Sequence, residues 1–473
     1  MKLFNIKLFA LIVGTVFLLS CEEDPLELQP AQSLSTEEAI SDLEGLQAAL
    51  NGAYDGLQLL SYYGRNFPVM WEAHGDNVYI STRNSNRFLN NYQYQNNSFS
   101  GDVSGLWADG YSTILRANNI INAEIESTDQ AAVNQAVGEA YAIRALVHFD
   151  LVRSYALPYS EGGGSQPGVP YITEAFIGEP ARDAVSVVYE NIIADLTQAK
   201  SLMTDGSVGP VRFTGSAVDA LLARVYLYRA TGDDLATAYS LANSVRAQYG
   251  MAAGADLVDF WDSSENDSEI FTLKFVGNES RGANNFGYIY IDQSIGYGDI
   301  RVSSDIINLY EAGDPRLDLI YEVGGEFYVG KFLGESASGI PGLVSPKIIR
   351  NSEMYMIAAE AAARRDDFAN ARTILNEFRA FRGLAALTTT DVPNNGLLDE
   401  IMEERRREFA FEGHRSFDLF RLGRGLTRNQ CGTGLEITAP CSISSGSPLR
   451  IFPIPQNELD VNENMVQNAG YAE

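Results

Sequence analysis

Between residues 71 and 94, flat rings alternate with groups that bind hydroxyls and amides: Trp71, His74, Asp76, Asn77, Tyr79, Arg83, Arg87, Asn90, Asn91, Tyr92 and Tyr94. A second stretch repeats the mixture with Asn285, Phe286, Tyr288, Tyr290, Tyr297, Asp299 and Arg301. Such rings stack on sugar or side-chain faces, while Asp, Asn and Arg read the hydroxyls or amides around them. The chemistry on offer is recognition at a surface. The spacing of Tyr92 and Tyr94, or of Tyr288 and Tyr290, also fits one face of a strand packed on helices.

Other chemistries find little support. His74, His148 and His414 lie far apart, with no second histidine three or four residues on, so no metal motif forms. His148 falls on the apolar face of a helix and reads as a core residue, whereas His74 lies in the polar loop, where it can touch a ligand. The acidic run DSSENDSE (262 to 269) lacks the glycine and spacing of a calcium loop and reads as a solvated turn. No Gly-x-Ser-x-Gly and no phosphate-cradling loop follow the N-terminal segment, and no cofactor is expected. Carboxylates are plentiful, yet nothing singles out a pair for glycoside hydrolysis.

A formal net charge of −28 argues against nucleic acid and anionic membrane surfaces as partners. It also fits a neutral glycan better than a sulfated or uronic one, unless local arginines override it. One basic cluster stands out, MEERRREFAFEGHRSFDLFRLGR (402 to 424), with six arginines against five acidic residues. On a helix, Glu403 faces Arg406 and Arg407, and Arg405 faces Glu408, so the cluster reads as scaffold.

The elements that must position these groups are mostly helical. Val133, Val137, Ala140, Tyr141, Val147, Leu151, Val152 and Tyr155 share a face over 130 to 155, and Val185, Val188, Ile192, Leu196 and Met203 share another. LLARVYLYRATGDDLATAYSLANSVR (221 to 246) and MIAAEAAARRDDFANARTILNEFRAF (356 to 381) share one plan: helix, polar turn, helix with an apolar-small-small opening. That is the logic of tetratricopeptide repeats, whose helix pairs must stack to bury their faces. Residues 62 to 104, 156 to 183 and 250 to 345 read as long polar loops, with short strand-like runs in EIFTLKF and FGYIYID. The expected fold is mainly α, with stacked repeat-like helix pairs, a loop-rich face and a few short strands.

The first residues resemble a bacterial lipoprotein signal: Lys2 and Lys7 flank an apolar run too short to span a bilayer, which ends at Leu18-Leu19-Ser20-Cys21. Residues 1–20 would be removed and Cys21 acylated. The following Glu22-Glu23-Asp24 resembles the signal that sends Bacteroidetes-type lipoproteins to the outer face of the outer membrane. Cys431 and Cys441 remain in a turn-rich loop, where an exported protein can oxidise them to a pinning disulfide.

Several stretches together resemble the SusD/RagB-like nutrient-binding lipoproteins. They are WADGYSTILRANNIINAE (107 to 124), GEAYAIRALVHFDLVRSYALP (138 to 158), LYEAGDPRLD (309 to 318), EMYMIAAEAAAR (353 to 364), the 402 to 424 cluster and FPIPQNELDVNENMVQNAGY (452 to 471). Trp107 would then belong to a scaffold helix and His414 to a structural turn. The resemblance implies one SusD-like domain over 21–473, with halves of about 21–230 and 231–473. It implies non-catalytic capture of an oligo- or polysaccharide and delivery to a SusC-like TonB-dependent transporter. The ligand platform would lie on the two aromatic stretches, with Trp71, His74, Asp76, Asn77, Arg83, Asn91, Tyr92, Tyr94, Tyr288, Tyr297, Asp299 and Arg301 as contacts. A RagB-like peptide receptor is the alternative, and an extracellular glycoside hydrolase a third.

Overall fold

Alanine and glycine at helix contacts let long helices approach closely, and this chain uses both. The computed structural model describes residues 35–203, 209–263, 265–432 and 434–471, so the signal segment and Cys21 lie outside it. In order, the main elements are α1 (Leu43–Leu57), α2 (Asn66–Ala73), β1 (Val78–Ile80), α3 (Leu89–Gln93), α4 (Gly101–Ile121), α5 (Gln130–Tyr155), α6 (Val185–Leu202), α7 (Gly215–Arg229) and α8 (Asp234–Arg246). They continue as β2 (Glu269–Thr272), β3 (Ile300–Val302), β4 (Ile320–Val323), β5 (Glu326–Val329), β6 (Lys347–Arg350), α9 (Asn351–Ala363), α10 (Phe368–Phe381), α11 (Leu397–Phe409), α12 (Arg415–Arg421), β7 (Leu426–Thr427) and β8 (Ser442–Ile443).

Helices stack in sequence: α1 on α4, α4 on α5, α5 on α6, α6 on α7, α7 on α8, then α8 on α9 and α9 on α10. A Cβ on Gly56 of α1 would stand 2.6 Å from Thr113 Oγ1 of α4, and one on Gly110 of α4 would meet Leu151 of α5 at 3.0 Å. Both glycines are therefore contact points. Starts are marked by acceptors: Asp42 takes Gly45 N–H at 2.8 Å, Asp129 takes Ala132 N–H at 3.0 Å and Thr214 takes Ala217 N–H at 3.1 Å.

The two repeat-like pairs, more than a hundred residues apart in sequence, are neighbours in space, because α8 of the first packs on α9 of the second. Helix α9 is buried on all sides, which its alanines permit, and Arg224 of α7 donates to its Glu353 through Nε at 2.8 Å. Residues from both halves of the chain join one apolar core.

The sheets among the described residues are two-stranded. Antiparallel β1 and β3 set Tyr79 opposite Arg301, β2 pairs with β6, and β4 with β5 forms a hairpin. No helix among the described residues is long and apolar enough to cross a membrane.

Two expectations about the connecting segments are corrected. Residues 62 to 104 are not a polar surface loop: α2, β1 and much of the surrounding chain are buried. The run FGYIYID is not a strand but a 3₁₀ turn over Phe286–Ile289.

Candidate functional site

The arginine cluster is scaffold, but its pairing is tertiary rather than along the helix. Arg405 Nε meets Asp418 at 2.7 Å, Arg406 Nη2 meets Asp76 at 3.3 Å, Arg415 meets Asp76 at 2.8 Å and Arg421 binds Glu360. The expected helical pairs of Glu403 with Arg406 and Arg407, and of Arg405 with Glu408, are not among the ion pairs of the described residues; along the helix Arg407 meets Glu404 instead, at 2.9 Å. At the centre, Glu408 accepts from Arg382 at 2.7 Å and also binds Arg350 and Arg316. Burial alone would raise its carboxyl, yet Arg382 and Arg350 hold it well below the usual carboxylate range.

Much of the first aromatic stretch is spent on this scaffold. Trp71, His74, Asp76, Asn77, Asn91, Tyr92 and Tyr94 are all buried, as are Asp299 and Arg301, so the expectation that they present a surface to ligand is corrected. The reason lies in distant partners. Trp71 stacks on Phe417 and Phe452 at 4.1 and 4.6 Å. His74 stacks on Tyr94 at 4.2 Å, and burial, helped by Arg428, pushes its pKa down to about 3. Asp76 carries Arg415 and Arg406, while Asn77 donates to Glu72 and accepts from Arg406. Tyr92 O–H donates to Gln430 O at 3.1 Å, and Asn91 accepts from Asn96.

The buried guanidinium of Arg428 is the clamp that sequence reading missed. It donates to the carbonyls of Ala73, Gly75 and Tyr92 at 2.7 to 2.8 Å, satisfying the C-terminal end of α2. A lone arginine in a turn-rich stretch gives no local signal of that role.

What reaches the surface is smaller and draws on both stretches. Tyr288 and Tyr297 meet edge to face at 5.2 Å. Arg87 lies 3.9 Å over the Tyr297 ring and donates to its hydroxyl at 2.9 Å. Gln293 donates to the Arg83 carbonyl at 2.9 Å, and Asp299 takes Ser85 N–H at 3.0 Å and its hydroxyl. The buried carboxylate of Asp299 thus ties the 82–88 loop to the loop before β3. Tyr288, Tyr297 and Arg87 are half-buried and Arg83 is exposed. Exposed Asn284 accepts from Arg65 Nη1 at 2.7 Å at the margin.

Backbone strain is local to the same loop. Asn86 and Phe88 have φ of 66° and 57°, a left-handed conformation that aromatic residues seldom adopt. The Phe88 ring is buried beneath Arg65, whose guanidinium lies 5.6 Å from its centroid.

Beside Tyr79 of β1, an open cleft of about 550 Å³ lies between the β4–β5 hairpin and residues 430 and 434–436. Phe327 and Leu435 stand exposed on its walls. A disulfide joins Cys431 to Cys441, and between them Ile437 N–H donates to Ile80 O of β1 at 2.8 Å. Among the described residues no cluster of His, Cys, Asp or Glu could hold a metal ion.

Stacked helix pairs carrying a shallow surface group of rings, amides and guanidiniums define a binding protein built on a helical-repeat scaffold. Residues 236–471 match the family model described as the SusD family, and residues 24–227 match one described as starch-binding, associating with the outer membrane. The chain belongs to the SusD family. It is 26% identical to the SusD-like protein P2 of Formosa agariphila over 100% of both chains. It is 32% identical to the starch-binding protein SusD of Bacteroides thetaiotaomicron over 26% of this chain and 21% of that one. A putative sugar binding protein from Bacteroides vulgatus superposes with a TM-score of 0.83 at 27% identity, covering 92% of this chain and 100% of that one.

Proposed function

We propose that this chain captures an oligo- or polysaccharide outside the cell, without cleaving it, and passes it to a SusC-like TonB-dependent transporter. Acylated Cys21 would hold it on the outer face of the outer membrane. The observation that carries this reading is the Tyr288–Tyr297–Arg87 group, two rings edge to face with a guanidinium over one, half-exposed where two loops meet. The C–H faces of sugars pack on such rings, and guanidinium and amide groups read their hydroxyls. Support comes from relatives described as starch-binding and sugar-binding and from the family description that names the outer membrane.

Hydrolysis of a glycosidic bond needs two carboxyl groups flanking it. Asp299, the carboxylate beside the rings, is buried and occupied by Ser85.

The test is affinity gel electrophoresis of the chain lacking residues 1–21 through plant, microbial and algal polysaccharides, followed by analysis of the polymer. Retardation without cleavage is expected, weakened about tenfold in Tyr297→Ala. Released products, or unchanged retardation in the variant, would refute the reading. Retardation by no polymer would move the weight to a peptide ligand.

A further inference from the structure

Every arginine of the 402–424 cluster lies within ion-pair distance of a carboxylate, from Arg405 with Asp418 to Arg424 with Asp399. The arginines at the platform are different. Arg87 contacts Tyr297, Arg65 binds the amide oxygens of Asn66 and Asn284, and Arg281 lies against the Phe275 ring. The exposed Arg83 offers its guanidinium to solvent. Among the described residues, none of the four forms an ion pair. In a chain with 62 acidic against 34 basic residues, four arginines without an ion pair stand out, with Asp102 acting on Arg65, Asp55, Glu279 and Asp109 on Arg281, and Arg87 on Asp299 only from beyond ion-pair distance.

The cations also act on one another. Arg65 is held below the usual arginine range, first by burial and further by Arg87 and Arg281, with Asp102 and Tyr297 opposing. The guanidiniums of Arg65 and Arg87 thus lie close to the Tyr297 ring, and Arg65 reaches the surface through Asn284. An unpaired guanidinium beside a ring is a fork of donors that matches a carboxylate or sulfate.

Building on the glycan-binding reading above, we propose that this platform selects polysaccharides bearing anionic substituents, carboxylate or sulfate, in preference to neutral ones. Tyr288 and Tyr297 take the sugar face, Arg83 and Arg87 take the charged substituent, and Arg65 and Arg281 supply the field behind them. The strongly acidic remainder of the surface then repels the rest of such a polymer and confines contact to the platform.

The experiment uses the chain lacking residues 1–21 in native gels at about 50 mM salt, where screening between exposed charges is weak. The gels contain polygalacturonate or its methyl-esterified form, a carrageenan or its desulfated form, alginate, and neutral starch and xylan. The proposal expects retardation by at least one anionic polymer, at least about tenfold weaker for its neutralised counterpart, and fading as sodium chloride is raised. The carboxylate and sulfate arms tell which substituent is read. Arg83→Gln combined with Arg87→Gln, both away from the core, should lower the retardation at least about tenfold, with the unfolding temperature unchanged. Equal retardation by charged and neutralised forms, or retardation by neutral polymers alone, overturns the anionic selectivity and leaves the glycan reading standing. Retardation by none of the polymers overturns both.

Discussion

His148 gives a test of the scaffold whose size can be worked out atom by atom. Its Nδ1 lies 2.9 Å from the carbonyl of Arg144, and its Nε2 lies 3.2 Å from the amide N–H of Ile172. One partner is an acceptor and the other a donor, so the ring is neutral, with its proton on Nδ1 and its lone pair on Nε2. A second proton would set N–H against N–H inside the core. The ring also stacks on Tyr171 at 3.8 Å. Burial, with the Arg144 guanidinium adding to it and the hydrogen bond to the Arg144 carbonyl opposing, pushes the pKa down to about 3. The unfolded value is about 6.5, so below that pH the unfolded chain takes up a proton that the folded chain refuses. Stability from this group is intact above pH ~6.5 and falls by about 1.4 kcal/mol per pH unit toward pH ~3. The loss is about 2 kcal/mol at pH ~5. His74 is also pushed down to about 3 and His414 well below the usual range, both chiefly by burial. His148 and His74 together therefore remove about 4 kcal/mol at pH ~5, a large share of a typical folding free energy, and His414 acts in the same direction. Glu72, whose carboxyl burial raises, offsets part of this because it gains stability as pH falls. The comparison is therefore made between variants. Urea unfolding of the wild type and His148→Gln from pH 8 to 5 should show parallel profiles above pH ~6.5 and, below it, a slope shallower by about 1.4 kcal/mol per pH unit in the variant, whatever the substitution costs at pH 8. Identical slopes would mean that the folded ring accepts the proton, and the burial argument would fail.

Three further outcomes test other parts of the structure. Glu408→Gln strips the shared carboxylate from buried Arg382, Arg350 and Arg316 and should cost about 3–5 kcal/mol in urea unfolding; a loss under about 1 kcal/mol would show that the network relaxes around the change. Replacing both Cys431 and Cys441 with Ser opens a loop of sequence separation 10 and should cost about 3 kcal/mol on loop-entropy grounds. Amide hydrogen exchange should then rise at Thr82 and Ile437, which bond across to Leu435 and Ile80, and no change there would detach the disulfide from the platform edge. Arg428→Met leaves the carbonyls of Ala73, Gly75 and Tyr92 without their donor and should cost about 2–4 kcal/mol, read by the same unfolding assay; near-wild-type stability would mean water replaces the clamp.

Local pattern carried the helices, because a period of 3.6 and an apolar-small-small opening are properties of a few consecutive residues. That is why the pairs around Asp233 and Asp367 were legible and why α8 and α9 lie together. Residues 62 to 104 were not legible for the opposite reason. Their polar groups are satisfied inside the protein by the other end of the chain: Glu72 accepts from Gly413 N–H across 341 residues, and Trp71 O accepts from Ser416 across 345. Composition rich in Asn, Tyr and Arg looks the same whether its hydrogen bonds go to water or to partners folded in from elsewhere. The aromatic positions divide accordingly. Tyr92 and Tyr94 lie under Arg428, whereas Tyr288 and Tyr297 are left half-exposed.

Arginine shows the same ambiguity more sharply. The triplet at 405–407 attracts the eye in the sequence, yet it is neutralised by Asp418, Asp76 and Glu404, and its role is to hold α11 against its neighbours. Arg83 and Arg87 are scattered in a polar segment whose mixture of residue types marks them only as two candidates among many, yet they are the ones left without an ion pair. A buried guanidinium must be paired or hydrogen-bonded because desolvating it alone costs several kcal/mol. An exposed one is satisfied by water and pays no such cost, so it stays free to take a ligand instead. Four arginines without an ion-pair partner among the described residues, beside two half-exposed rings, are what a surface shaped for an anionic ligand would show. Net charge thus describes the chain's long-range field, and the unpaired residues describe its site.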